Sequence, residues 1–451
     1  MNEQDLHFSS AKKLISLILD KEITIHELTQ SYIDHIEKID SNIDAWVSLN
    51  KNQSLTVAEK LDQKFMNGEN IGPLFGIPIG IKDIFNTEDF PCQMGSQLWK
   101  NFTPGNDARV VSDLRMANAI ILGKTETAEF AVHALGNTKN PFDKNRSPGT
   151  SSSGSAVAVA TGMVPFALGT QTAGSIIRPA SYCGVYGFKP SFGLIPRTGM
   201  LKTTDTLDQV GYFTRTPEDL ELFFDLLHVK GKNYPYSNAA LTDEKRQNIV
   251  NRPWKIKFVK TSVWDNAENY AKKEIEKFCT KLNQFDEFDV NEEILSDEFI
   301  SAHENHEIIY AKSLSYYFED ELKNKSLISE IFYDLAIKSK NISMDKFDFA
   351  LNYQNNISKK LDQMFNDFDI LISLSTAGCA PLKKEKEIDD PSLIWTMCGV
   401  PAINIPAFNY NGLPFGVQIV SRKYNDLLLL RFVNLLHSKE IIHNTPNPNL
   451  K

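Results

Sequence analysis

The sequence predicts an α/β protein: a sheet with helices packed against it, begun in the first half of the chain and completed at its end. Three observations carry this. Short β-type runs at 77–81, 120–122 and 164–168 alternate with helical stretches and glycines, the texture of strands and covering helices. The chain turns β-like again at 370–374, 402–405 and 417–420. Between these two parts, residues 231–365 are more charged and mostly helical in pattern, with one strand expected at 256–259.

At roughly 150 residues per domain, 451 residues would divide into about three. There is no Pro/Gly/Ser linker, internal repeat or low-complexity tract to divide them. One domain over 1–451 is expected: N-terminal helices at 1–69, a core segment at 70–230, a helical insertion at 231–365 and the rest of the core at 366–451. In the N-terminal part, Thr24 and Glu27 have capping-box spacing, followed by Leu28, Tyr32, Ile33, Ile36 and Ile39 at helical intervals. A second helical run holds Val57, Leu61 and Phe65, with Gly68 as its stop. All of 10–66 reads as helical. Thr216-Pro217-Glu218-Asp219 marks another helix start, with Leu220 to Leu227 supplying the apolar face.

Lys plus Arg is 48 and Asp plus Glu 57, a net −9, which disfavours nucleic acid or an anionic membrane as the main partner. No basic, then apolar, leader opens the chain, and no run of about 18 apolar residues occurs. Five scattered cysteines without a Cys-x-x-Cys fit reduced thiols, so a cytoplasmic location is expected.

Several motif fragments fail on spacing. Gly123-Lys124-Thr125 resembles the end of a phosphate loop, but Asn118 stands where that loop needs glycine. Gly149 to Ser153 resembles a nucleophile elbow, but Ser153 replaces the closing glycine, and His228, His437 and His443 lack triad context. Ser9-x-x-Lys12 and Ser343-x-x-Lys346 match a common pair whose serines read as helix caps. His303, His306 and Glu307 form the best metal candidate. They do not follow His-Glu-x-x-His and have no distant third ligand, so no metal is expected.

The segment that carries chemistry runs from Ser147 to Pro196. Ser147 to Ser155 holds five serines and two glycines and enters a small-residue helix near 156–162. A second loop, Gly169-Thr170-Gln171-Thr172-Ala173-Gly174-Ser175, also precedes a helix. Backbone N–H groups at such entries point together and stabilise an anion. Phosphate or the oxyanion of acyl transfer both fit. Acyl transfer needs a nucleophile and a base. Serines are abundant and a triad histidine is absent, which leaves a lysine as base, with Lys82, Lys124 and Lys189 equally eligible.

These loops resemble those of the amidase signature family, the Ser–cisSer–Lys hydrolases. Gly149 to Ala156 and Gly169 to Ser175 match its two Gly/Ser loops. Cys183-Gly184-Val185-Tyr186-Gly187-Phe188-Lys189-Pro190 matches its Cys-Gly-Val run, and Gly76 to Asp83 its upstream segment. Trp395, Gly399 to Ala402, Pro406 and Gly412 to Gln418 resemble its C-terminal part. The likeness spans about residues 20–435 and is weakest across 231–365.

The resemblance implies a large mixed sheet covered by helices on both sides. It implies Ser175 as nucleophile, Ser151 as bridging serine after a cis Thr150–Ser151 bond, and Lys82 as base. The N–H groups of Thr172, Ala173, Gly174 and Ser175 become the oxyanion hole, and no cofactor is required. The implied reaction is cleavage of a small carboxylic amide through an acyl-enzyme. Thr150, Ala173 and Gln171 depart from the usual Gly, Gly and Asp. Arg178 stands three residues after the nucleophile, a spacing that resembles a malonamidase-like bacterial branch. Gln171 and Arg178 are expected to bind substrate: with a neutral Gln171, Arg178 would stand free as an anchor for a carboxylate-bearing amide. The alternatives are the A subunit of a glutamine-dependent tRNA amidotransferase, which needs partner chains, and an inactive binding homologue. The expected partner is a small-molecule amide, with a homodimer as the assembly.

Overall fold

The computed structural model describes residues 6–232, 234–249, 251–385 and 388–448. Among them, eleven strands form one mixed sheet: β1 (Trp46–Leu49), β2 (Pro78–Lys82), β3 (Ile120–Thr125), β4 (Phe166–Gln171), β5 (Tyr186–Lys189), β6 (Gln209–Thr214), β7 (Trp254–Val259), β8 (Phe288–Glu293), β9 (Ile370–Leu374), β10 (Ala402–Tyr410) and β11 (Leu413–Ser421). Their order is β1-β3-β2-β4-β6-β5-β10-β11-β9-β7-β8. β3, β2 and β4 are parallel, as are β9, β7 and β8. The strands between the two sets pair antiparallel.

Every residue of β2, β3, β4, β5, β6 and β9 is buried. Helices cover these strands, which is why β2, β3, β4 and β9 read as largely apolar runs without alternation. The cover is close: Phe166 of β4 stacks on Phe223 of the helix Pro217–Leu227 at 3.7 Å between ring centroids. That helix starts as the sequence predicts, with Thr216 as N-cap and Pro217 in the first turn. The Thr24–Glu27 capping box is present in full, opening the helix Ile25–Ile39.

Four strands were not among the expected runs. β1 interrupts the supposedly all-helical 10–66. Its four residues are only half-buried and pair with β3, so no local alternation announces it. β5 and β6 hold glycines and polar residues that pairing within the sheet tolerates. β8 is an edge strand with an exposed face. Ser343 caps a helix as expected, but in the N-terminal pair it is Ser10, not Ser9, that receives the N–H of Lys13.

The connectivity places the site. The chain passes from β2 to β3 on one side, then returns across β2 to β4 on the other. At such a switch point the carboxyl ends of neighbouring strands open a crevice, since their outgoing loops diverge. Lys82 is the last residue of β2 and Gln171 the last of β4.

Candidate active site

Two loops converge on the end of β2. The first, 147–152, precedes the helix Ser153–Ala160, which Ser155 fastens to the sheet through Leu168 O (2.7 Å) and Thr125 Oγ1 (2.6 Å). Its Thr150–Ser151 peptide bond is cis, as the resemblance implies. Gly149 sits at φ +82°, and a Cβ there would come within 2.6 Å of Pro179, so this loop packs on the helix Ile177–Cys183 through a glycine that nothing larger can replace. The second loop, 172–175, follows β4 and enters the helix Ile177–Cys183.

Lys82 is fully buried, and its Nζ lies 2.8 Å from Ser151 Oγ, 2.9 Å from Ser152 Oγ and 2.9 Å from Thr170 Oγ1. Burial pushes its pKa well below the lysine range, with Asp208 opposing the shift. A neutral amine has two N–H donors and one lone pair. Ser152 Oγ also lies 3.1 Å from Thr170 O, a carbonyl that can only accept. Its proton is therefore committed there, and towards Lys82 it can only accept. Thr170 Oγ1 can accept the second N–H, an arrangement that leaves the lone pair to Ser151 Oγ.

The other two lysines differ in kind. Lys124 Nζ meets the Asp83 carboxylate at 3.0 Å and the carbonyls of Phe85 and Pro91. Lys189, drawn down to about 7 by burial, donates to Gln209 Oε1 and Val400 O. Both are ringed by acceptors, so neither meets a hydroxyl from which it could take a proton. The tertiary structure thus separates three lysines that the sequence left equal.

Ser175 is 7% exposed, and among the described residues its Oγ makes no hydrogen bond. Lys82 and Ser151 are in hydrogen-bond contact, whereas Ser151 and Ser175 are not. Such contacts commonly tighten only when substrate is bound. Among the described residues, no acceptor takes the N–H groups of Ala173, Gly174 and Ser175. The loop carrying them is braced from outside. Gln171 Oε1 accepts from the N–H groups of Ile176 (2.8 Å) and Ile177 (2.9 Å), and its Nε2 donates to Thr396 Oγ1 (2.9 Å).

This corrects two expectations. Gln171 is fully buried in that brace and does not face substrate. Arg178 does not stand free. Its Nη1 pairs with Asp390 Oδ2 at 3.2 Å, and Nε and Nη2 donate to Thr150 O at 3.2 and 2.9 Å. Arg178 ties the loop that carries Ser151 to the Asp390 loop. Asp390 lies more than two hundred positions away, which is why no local pattern announced the pair.

The cleft encloses about 1150 Å³, with Thr150, Ala173 and Arg178 on its floor. The helix Ala302–Tyr317, from the region where the family likeness is weakest, forms a wall. It presents the supposed metal trio, each with another partner: His303 Nε2 meets Asp390 O (3.2 Å), His306 Nε2 meets Thr172 O (2.9 Å), and Glu307 pairs with Lys338. Burial lowers the His306 pKa to about 4, so the ring is neutral. Sequence reasoning missed Ser152, Thr170, Thr396 and Asp390. The first two lie inside the quoted loops; no local signal marks the last two.

The amidase family profile matches residues 27–430. The chain belongs to the amidase family. It is an enzyme of amide C–N chemistry with the amidase signature fold. Among curated proteins it is 29% identical over 481 residues to the A subunit of glutamyl-tRNA(Gln) amidotransferase from Natranaerobius thermophilus, covering 94% of each chain. It is 30% identical over 469 residues to that of Alkaliphilus metalliredigens, covering 92% of each. Among solved structures, the peptide amidase of Stenotrophomonas maltophilia superposes with a TM-score of 0.85 at 23% identity, over 98% of this chain and 99% of that one. The corresponding glutamyl-tRNA(Gln) amidotransferase chain of Thermotoga maritima gives 0.80 at 24%, over 99% of both. Among the described residues, no helix is long and apolar enough to cross a membrane.

Proposed function

We propose that Lys82, Ser151 and Ser175 cleave the C–N bond of a small carboxylic amide. The observation that carries this is a fully buried lysine, its basicity lowered by burial, whose Nζ lies 2.8 Å from Ser151 Oγ. Lys82 takes the Ser151 proton as Ser151 takes that of Ser175. Ser175 Oγ forms a bond to the amide carbonyl carbon, and the N–H groups from Thr172 to Ser175 receive the oxyanion. The proton returns through Ser151 to the leaving nitrogen as the C–N bond breaks, leaving an acyl-enzyme that water hydrolyses.

This step is shared by a free-standing amidase and by the glutamine-hydrolysing chain of a tRNA amidotransferase, which draws ammonia from glutamine for its partners. The comparisons favour the second setting. The curated relatives above carry that name and are matched over more than nine-tenths of their length. Gln171 braces a loop and Arg178 is ion-paired, so neither side chain marks a substrate preference that would separate the two settings. The preference for a carboxylate-bearing amide, which needed an unpaired Arg178, falls with the same observation.

The test is ammonia release from a panel of small amides, glutamine included, by the purified chain, together with labelling by a fluorophosphonate probe. Wild type should be labelled and Ser175→Ala should not. Labelling that persists in Ser175→Ala, or ammonia release that survives it, sinks the assignment. A chain that labels readily but releases ammonia only feebly fits the amidotransferase setting; rapid turnover alone returns it to the free-standing one.

A further inference from the structure

Resting on that reading of the oxyanion loop, we infer that His306 and Thr396 are positioning residues that aim the oxyanion N–H groups by holding the carbonyls on the other side of the same peptide planes. In a trans peptide the C=O and N–H vectors are antiparallel and the plane is rigid. Fixing a carbonyl therefore fixes where the next residue's N–H points. Three consecutive carbonyls of this loop are held. Thr172 O receives His306 Nε2 at 2.9 Å, Ala173 O receives Thr396 Oγ1 at 2.7 Å, and Gly174 O receives the N–H of Arg178 at 2.8 Å. The N–H groups on the opposite ends of those planes belong to Ala173, Gly174 and Ser175, three of the four loop N–H groups, Thr172 to Ser175, that no acceptor takes among the described residues.

The chemistry of the two holders is fixed by their acceptors. A carbonyl can only accept, so His306 carries its proton on Nε2, and the Thr396 hydroxyl proton lies toward Ala173 O at 2.7 Å, the shorter of its two carbonyl contacts, Ser392 O being 3.4 Å away. Gln171 Nε2 donates to the same hydroxyl oxygen from behind, which leaves Thr396 free to act as donor. Both side chains are buried. A donor on a carbonyl also polarises its peptide, which strengthens the N–H at the other end. The two residues reach the loop from different parts of the chain: His306 from the helix Ala302–Tyr317, Thr396 from the short helix Leu393–Met397. Thr396 does not line the cleft, and His306, which does, commits its Nε2 to Thr172 O. Their effect is carried through the backbone they hold.

The test uses the fluorophosphonate probe, because the adduct it forms on Ser175 places a phosphoryl oxygen in the oxyanion hole and its rate reports the aim of the N–H groups without a known substrate. His306→Phe and Thr396→Val remove the donors at similar volume; His306→Gln and Thr396→Ser keep a donor. The first pair should slow the labelling rate by ~10–100-fold, a part of what loss of an oxyanion donor costs, and lower kcat on the best amide of the panel with KM changed little. The second pair should recover most of the rate. Melting temperatures check folding; if His306→Phe does not fold, the Thr396 pair decides alone. Donor-lacking variants that label at the wild-type rate overturn the inference, as do donor-keeping variants as slow as the donor-lacking ones. Failure of the underlying reading looks different, since wild type itself would then not be labelled at Ser175.

Discussion

The segment 70–230 and the segment 231–365 contribute to the same cleft by opposite means. In the first, whole strands are buried, and the site residues hang from strand ends and the loops that follow them: Lys82 from β2, Thr170 and Gln171 from β4, Ser151 and Ser175 from the loops. In the second, only Phe288 of β8 is buried, and the helices turn charged faces outward. What it gives the site is a wall and one neutral histidine on a backbone carbonyl. The difference teaches where chemistry can reside. A lysine becomes a base only where burial strips its proton, which the core of a sheet supplies and a half-exposed helix does not. A wall needs only shape and a few donors, which a variable helix can provide.

The sharpest way to break this comparison is to change the base. Lys82→Met should lower ammonia release on the order of 10⁴-fold, since units of a catalytic relay fail together. It should also change the pH dependence of stability. The folded pKa of Lys82 is lowered, so between that value and 10.5 the unfolded chain holds a proton that the folded chain lacks. Raising the pH strips that proton and favours folding. Wild type should gain on Lys82→Met by up to about 1.4 kcal/mol per pH unit within that window. Denaturant melts of both proteins between about pH 8 and pH 10 read the difference. Parallel curves would mean that Lys82 keeps its proton in the fold.

A smaller effect is expected at Arg178. A lysine there cannot serve both Thr150 O and the Asp390 carboxylate, because a point charge lacks the guanidinium fork. Arg178→Lys should cut kcat/KM by roughly 10-fold or more on carboxylate-bearing and uncharged amides alike, as expected for a brace that mis-sets the bridging-serine loop when lost. A loss confined to the carboxylate-bearing amide would restore a substrate-anchoring part for this side chain.

The smallest effect belongs to the outer region. Lys338 pairs with Glu307 at the cleft mouth, with both side chains more than half exposed. Lys338→Ala should shift stability by less than ~0.5 kcal/mol, and its activity should stay near wild type. A large loss of activity there would move chemistry into the segment that the comparison treats as a wall.

Much of this was legible in the order of residues. Buried parallel strands are apolar along their length, so β2, β3, β4 and β9 were read near their observed bounds. The Gly/Ser loops were legible because close backbone packing admits only small residues, as Gly149 against Pro179 of the helix Ile177–Cys183 shows. β1 and β8 were not, since short half-buried strands owe their conformation to a partner elsewhere in the chain. Arg178 and Gln171 were placed beside substrate because sequence distance from Ser175 was all there was to judge by.

By itself the sequence determined the α/β class, the two Gly/Ser loops and the supply of serines and lysines near them, because local pattern and residue chemistry suffice for those. Only the tertiary structure decided which lysine sits among hydroxyls and which among carbonyls and carboxylates. It alone brought Asp390 to Arg178, Thr396 to Ala173 and His306 to Thr172, from up to 223 positions away. The physical reason is the same in each case. The protonation of a buried group and the direction of an N–H depend on what surrounds them in space, and those neighbours are set by the pairing of strands far apart in the chain.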